Sequence, residues 1–247
     1  MRAAPADQLR LLDLQAIDLH LDQLAHRRRT LPELAELEQG QAALGGIRDD
    51  VVRARTEIED LDREIRRLET DIDQVRQRAR RDQQRMDSGA VHASKELESL
   101  QHEVASLARR QSELEDAELE LMETREEAEA RLNEAQARLD QASAALGDAE
   151  KRRDSAFAEI DETTAARTAE RGPLASSLPA DLLALYEKIR STHNGVGAAM
   201  LRARRCEGCR LDLAGSDLSA ARSAAEDEVL RCEECRRILV RTKESGL

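Results

Sequence analysis

The chain holds four cysteines, arranged as Cys206-Glu207-Gly208-Cys209 and Cys232-Glu233-Glu234-Cys235 with twenty-two residues between the pairs. A CxxC pair forms a tight knuckle that aims two thiolates at one point, so two pairs can surround one zinc ion with four sulfurs at about 2.3 Å. The competing use of such thiols is redox chemistry or simple lack of a partner. Four thiolates complete the tetrahedron and leave no position for water, so the spacing predicts one structural Zn2+ and argues against a catalytic metal. Other chemistry is sparse. His20, His26, His92, His102 and His193 are scattered with no nucleophile motif beside them, and Gly195-Val196-Gly197 is too short for a phosphate loop and lacks its lysine. The expectation is a protein that is not an enzyme, has no catalytic residues and takes no small-molecule substrate.

The elements around the cysteines read as a small ribbon. Arg171-Gly172-Pro173 ends a helical pattern and Leu174 to Pro179 reads as a linker. A short amphipathic helix at Pro179 to Arg190 follows, carrying Leu182, Leu183, Leu185, Tyr186 and Ile189. Strands are expected at Ala198 to Arg204, Arg210 to Leu213 and Glu228 to Arg231, a helical turn from Ser216, and a closing strand at Ile238-Leu239-Val240. With one tyrosine and one phenylalanine in the whole chain, this domain has little core, and metal binding is expected to supply most of its stability.

Upstream, the pattern is entirely different. Charged residues make up 36% of the chain, and Ala, Glu, Leu, Arg and Gln dominate a 3.5-residue period, the profile of a coiled coil. One stripe runs from Leu44 through Val51, Ile58, Ile65, Ile72 and Ala79 to Met86. A second runs from Leu97 to Thr163 through Leu100, Leu107, Leu114 and Leu121, then Ala128, Ala135, Ala142, Ala149 and Ala156, about 100 Å if helical throughout. Before them, a first helix starts near Pro5-Ala6-Asp7, and Pro32 breaks or kinks the path after Thr30. Gly40, Gly45 and Gly46 permit bending or close approach.

Asp7 to Met86 is 80 residues and Ser94 to Arg171 is 78, flanking one short connection with Gly89. Equal arms around one turn predict an antiparallel hairpin within a single chain, residue i facing a residue near 180 minus i; a parallel homodimer broken at Gly89 is the alternative. The fold class is therefore mostly α, a long antiparallel coiled-coil hairpin over 1–171 with its turn near 87–93, followed by a zinc-ribbon domain over 172–247 with a preceding short helix. No stretch reaches eighteen apolar residues and the start lacks a secretory signal, so a cytoplasmic protein without membrane contact is expected.

The net charge of −12 disfavours indiscriminate coating of nucleic acid but leaves room for local basic patches. Arg76, Arg78, Arg80, Arg81, Arg85 and Lys95 against Asp82 and Asp87 make the hairpin tip net +4, whereas Glu113 to Glu134 carries ten acids against Arg125 and Arg131, net −8. A second basic set, Arg202, Arg204, Arg205, Arg210, Arg231, Arg236 and Arg237, surrounds the metal ligands. These arginines can contact phosphate or offset the −2 charge of zinc with four thiolates, and the tip cations can equally be solvated flanks paired with Glu96, Glu98 and Glu103. Without aromatics, base stacking is unavailable.

Ser94-Lys95-Glu96-Leu97-Glu98-Ser99-Leu100-Gln101-His102-Glu103, Leu182 through Arg190 with Tyr186, and Cys232-Glu233-Glu234-Cys235-Arg236-Arg237-Ile238-Leu239-Val240 give the chain its family likeness. Over essentially its whole length it resembles the bacterial C4-type zinc-ribbon proteins with a long N-terminal coiled-coil hairpin. The resemblance implies a nucleic-acid-binding or regulatory role, with some members linked to flagellar regulation. Two departures are visible: Arg236 stands where many ribbons have glycine after the last cysteine, and Glu233-Glu234 fills a knuckle that often contains proline. The leading functional expectation is a non-enzymatic zinc-ribbon adaptor or regulator that binds RNA or DNA. The alternative is a protein-interaction scaffold that binds through the coiled coil or its tip, with a purely structural ribbon.

Overall fold

A computed structural model describes residues 1–89 and 91–247; Ala90, inside the predicted turn, lies outside the described residues. Helix α1 spans Pro5–Arg29, α2 Pro32–Asp87, α3 Ser94–Ser176 and α4 Ala180–Thr192. Strands β1 (Ala198–Arg202) and β2 (Arg205–Cys206), helix α5 (Gly215–Ser223), and strands β3 (Leu230–Arg231) and β4 (Ile238–Val240) complete the chain. Proline begins both α1 and α2, where its missing N–H would have had no intrahelical partner anyway. At Thr30 the backbone N–H returns to the carbonyls of His26 and Arg27, so α1 stops fully and α2 starts afresh at Pro32. The chain divides into two compact units, one formed by 1–34 with 151–247 and the other by 35–150.

In the 35–150 unit, α2 and α3 run antiparallel within one chain. Leu44, Val51, Ala54 and Ile72 of α2 and Leu100, Leu114, Ala128, Ala135 and Ala149 of α3 are buried, all positions of the two stripes. Ion pairs flank this seam. Arg85 meets Glu96 at 3.4 Å and Arg78 meets Glu103, the expected pairing near the turn. Farther along, Arg131 reaches Glu57 at 2.9 Å, Arg138 reaches Asp50 at 3.6 Å and Leu146 lies over Gly40, a slide of about two helical turns from the pairing that equal arm lengths suggest. A slide of one heptad leaves the same apolar faces together, so periodicity alone does not fix it. Polar seam positions can: Arg125 donates from Nε to Asp62 across the hairpin at 2.5 Å and pairs with Glu129 at 3.0 Å.

The three glycines of α2 differ in what they do. A Cβ on Gly40 would lie 2.8 Å from Leu146 Cδ2, so this glycine admits close approach of the helices, while Gly45 and Gly46 face open space. Replacing Gly45 or Gly46 by alanine is therefore expected to stabilise the coiled coil by about 1 kcal/mol each, and the same change at Gly40 by less or not at all. Thermal unfolding followed by helix circular dichroism checks this ranking.

In the other unit, α3 does not stop at Arg171-Gly172-Pro173 but continues to Ser176, with Pro173 inside the helix. The missing proline N–H is offset by burial of Ala175 and Leu178 against Leu11, Leu14, Leu182 and Tyr186, a core shared by α1, α4 and the ribbon strands. The sheet order is β2-β1-β4-β3, with β1 and β4 parallel and the outer pairs antiparallel. The strand expected at 210–213 is reduced to a single bridge between Arg205 and Asp212, and the helical turn from Ser216 is the nine-residue α5. Residues 1–3 extend the ribbon: Ala3 N–H bonds Asp227 O at 2.7 Å and Val229 N–H bonds Met1 O at 3.1 Å.

Candidate metal centre

Each knuckle is a closed backbone loop. The Cys206 carbonyl accepts the Arg210 N–H at 2.7 Å, and the Cys232 carbonyl accepts the Arg236 N–H at 2.8 Å. These short returns need a left-handed residue after the second cysteine. Arg210 (φ 60°) and Arg236 (φ 58°) both occupy that conformation, which glycine adopts at least cost. Arg236 compensates in part by pairing with Glu233 at 3.0 Å, and its carbonyl accepts Arg231 Nε at 3.0 Å. Arg236→Gly is expected to fold as well as the native chain or better, by up to about 1 kcal/mol, whereas Arg236→Val is expected to lose about 1–2 kcal/mol because a β-branched residue resists this region. Competition for zinc between each variant and a chromogenic chelator measures the difference.

The four sulfurs lie within 4.8 Å of one another. Cys206 and Cys235 Sγ are 3.9 Å apart and Cys209 and Cys232 Sγ 3.8 Å, close to the spacing of about 3.8 Å that four sulfurs at 2.3 Å around one zinc require. The surroundings of three of these thiols pull in opposite directions. Burial pushes the Cys206 and Cys232 thiols up, while backbone N–H groups of Gly208 and Cys209, and of Glu234 and Cys235, oppose it from within the knuckles. At Cys235 burial also acts upward, but the backbone N–H and guanidinium of Arg237 outweigh it and bring the thiol down to about 7. Donor set and spacing fit one structural zinc, held by Cys206, Cys209, Cys232 and Cys235.

Arg237 is the centre's main support. Its guanidinium donates to Val196 O at 3.0 Å, His193 O at 3.1 Å and Gly208 O at 3.3 Å, tying both knuckles to the loop after α4. Gly208 leaves room for it, since a Cβ there would stand 2.8 Å from Arg237 Cδ. Among the other ribbon arginines, Arg202 pairs with Glu244 at 2.9 Å, and Arg204 donates from Nε to Gly246 O at 3.1 Å. Arg205 and Arg210 are exposed and make no ion pair among the described residues. Of the tip set, Arg76, Arg78 and Arg85 are engaged by Glu115, Glu103 and Glu96, leaving Arg80, Arg81 and Lys95 exposed without an ion pair among the described residues.

Several residues that hold the ribbon in place give no sequence signal. Gln15 accepts the N–H groups of Gly197 at 2.7 Å and Ala198 at 3.2 Å and donates to Gly195 O at 2.9 Å. Arg241 donates to the carbonyls of Ala221, Ala224, Ala225, Glu226 and Glu228, closing the C-terminal end of α5. Asp18, 1% exposed, accepts Tyr186 Oη at 2.7 Å and Arg171 Nε at 2.6 Å, while Arg190 Nε stands 3.4 Å away. The partners of Gln15 and Asp18 lie more than 150 residues away in the chain, and those of Arg241 are backbone carbonyls, so neither kind of tie leaves a local pattern.

Fold and site together define a coiled-coil hairpin protein with a structural four-cysteine zinc ribbon. The CT398-like coiled coil hairpin domain matches residues 14–194 and the C4-type zinc ribbon domain matches residues 205–239, and the chain belongs to this family. An uncharacterized Mycobacterium tuberculosis protein is 41% identical over 241 residues, 98% of each chain, and an uncharacterized Mycobacterium leprae protein is 31% identical over 221 residues, 90% of this chain and 94% of its own. A solved Mycobacterium smegmatis structure superposes with TM-score 0.84 at 36% identity, covering 98% of this chain and 100% of that one. CT398 from Chlamydia trachomatis, at 21% identity and TM-score 0.69 over 96% and 98%, shares the fold. Neither matching family is an enzymatic one, and no helix among the described residues is long and apolar enough to cross a membrane.

Proposed function

We propose that the chain is a non-enzymatic adaptor whose ribbon docks nucleic-acid phosphates through Arg204, Arg205 and Arg210. The observation that carries this reading is local. Arg205 and Arg210 are exposed and lack ion pairs among the described residues, and with Arg204 they flank one turn and the first knuckle, tied by the Leu213 N–H to Arg204 O bond at 2.9 Å. Arg237, by contrast, has its donors on backbone carbonyls and supports the metal centre instead. An overall charge of −12 restricts such contact to this surface and to the hairpin tip.

Fluorescence anisotropy with single-stranded RNA and duplex DNA at two salt concentrations tests it. Binding should weaken as salt rises, and replacing the three arginines by glutamine should flatten the log–log slope by about one unit per lost phosphate contact. Absence of binding at low salt, or binding unchanged by the triple substitution, defeats the assignment. A second reading, a protein partner at the hairpin tip, is favoured by the exposed Arg80, Arg81 and Lys95, which have no ion pair among the described residues. Partner capture that survives nuclease but is lost on replacing these three by glutamine would support that reading.

A further inference from the structure

A groove of about 750 Å³ opens between the start of α1 and the C-terminal segment, over α5. Pro5, Leu9, Ala221 and Leu247 form its apolar lining, and Leu9 and Leu247 remain 46% and 41% exposed. Arg222 and Lys243 stand on its rim, exposed and without an ion pair among the described residues. Glu226 also lines the groove, but its backbone carbonyl already receives Gln8 and Arg241, fixing that wall. An apolar slot with a cationic rim fits a helical turn that shows two apolar side chains beside carboxylates.

The chain itself carries such a turn. On α3, Leu119 is 58% exposed and Met122 is 44% exposed, one turn apart and outside the hairpin seam. Asp116, Glu123 and Glu126 surround them at helical spacings of three and four, all exposed and without ion pairs among the described residues. Leu119 and Met122 thus present a pair of exposed apolar side chains one turn apart in the acidic segment between Glu113 and Glu134.

We propose that two copies of the chain associate by seating the Leu119–Met122 turn of one in the groove of the other, with Arg222 and Lys243 facing Asp116, Glu123 and Glu126. One such docking joins two copies, and its reciprocal repetition about a twofold axis would close a dimer. Each contact is small, which places the association in the concentration range of weak, reversible complexes.

Sedimentation velocity of the full chain from about 5 to 200 µM is expected to show a concentration-dependent shift toward the dimer that fades at high salt. Leu119→Gln/Met122→Gln and Arg222→Glu/Lys243→Glu should each weaken it about tenfold or more while leaving helix circular dichroism unchanged. Mixing Arg222→Glu/Lys243→Glu with Asp116→Lys/Glu123→Lys should restore a heterodimer. Zero-length carbodiimide cross-linking of labelled with unlabelled chains should join Lys243 to Asp116 or Glu123 across two molecules. A chain that stays monomeric throughout, a dimer indifferent to both pairs of substitutions, or cross-links confined to one molecule would overturn the proposal.

Discussion

Stripping zinc with a strong chelator is expected to dissolve the ordered ribbon while most of the helical circular dichroism remains. The core beside the metal consists of Ala199, Leu201, Cys206, Cys232 and Leu239, so two of its five buried residues are themselves ligands. Strands of two, two and three residues at β2, β3 and β4 cannot persist on backbone bonds alone. Metal binding contributes on the order of 10 kcal/mol to such a domain, more than this core can replace. Helices α2 and α3 bury their stripes against each other in the 35–150 unit and do not depend on that core. Amide hydrogen exchange should accordingly rise across 198–240 and stay low along the hairpin seam, with metal analysis giving one zinc per chain. Cys206→Ser and Cys232→Ser should mimic chelation, because each leaves three thiolates and a buried hydroxyl in the site. Collapse of most of the helix signal on chelation would contradict this independence.

The second large effect is expected at Asp18. This carboxylate is buried under α4 and satisfies Arg171, Tyr186 and, at longer range, Arg190. Arg171 also bonds Glu187, and Arg190 Nη2 bridges both oxygens of Asp22 at 2.9 Å, so α1, α3 and α4 share one polar network. The hydrogen bond that Arg171 donates to Asp18 raises its guanidinium further above the ordinary value, and burial with the same carboxylate raises the Tyr186 hydroxyl, so both stay protonated donors. Asp18→Ala should lower stability by about 3 kcal/mol, since it leaves the buried Tyr186 hydroxyl without an acceptor and takes one of two carboxylates from Arg171. Tyr186→Phe, which removes one donor and keeps the ring, should lose about 2 kcal/mol. Urea unfolding of the two single variants and the double variant measures their coupling; additivity within about 0.5 kcal/mol would show that the network is not cooperative.

Much of this architecture was legible in the residues, and the parts that were not have a common cause. The stripes from Leu44 to Met86 and from Leu97 onward announced paired helices because a helix repeats its faces every few residues. Gly89, in a left-handed conformation at φ 66°, marks the stop after α2. Pro173 misled for a related reason. Its intrinsic preference favours a helix end, but the buried contacts of Ala175 and Leu178 carry the helix on to Ser176. Arg237 looked like one arginine among several in a basic run, and only its three carbonyl partners set it apart from Arg205 and Arg210.

Residue order by itself determined the heptad stripes, the single reversal of the chain and the four-thiolate zinc site, because each rests on short-range spacing that a helix or a knuckle converts directly into geometry. Tertiary structure alone decided the register of α2 against α3, the pairing of residues 1–3 with the ribbon, and the burial of Asp18 among Arg171, Tyr186 and Arg190. Those outcomes join groups far apart in the chain, and a repeating stripe or a lone polar residue is compatible with many partners until packing excludes all but one.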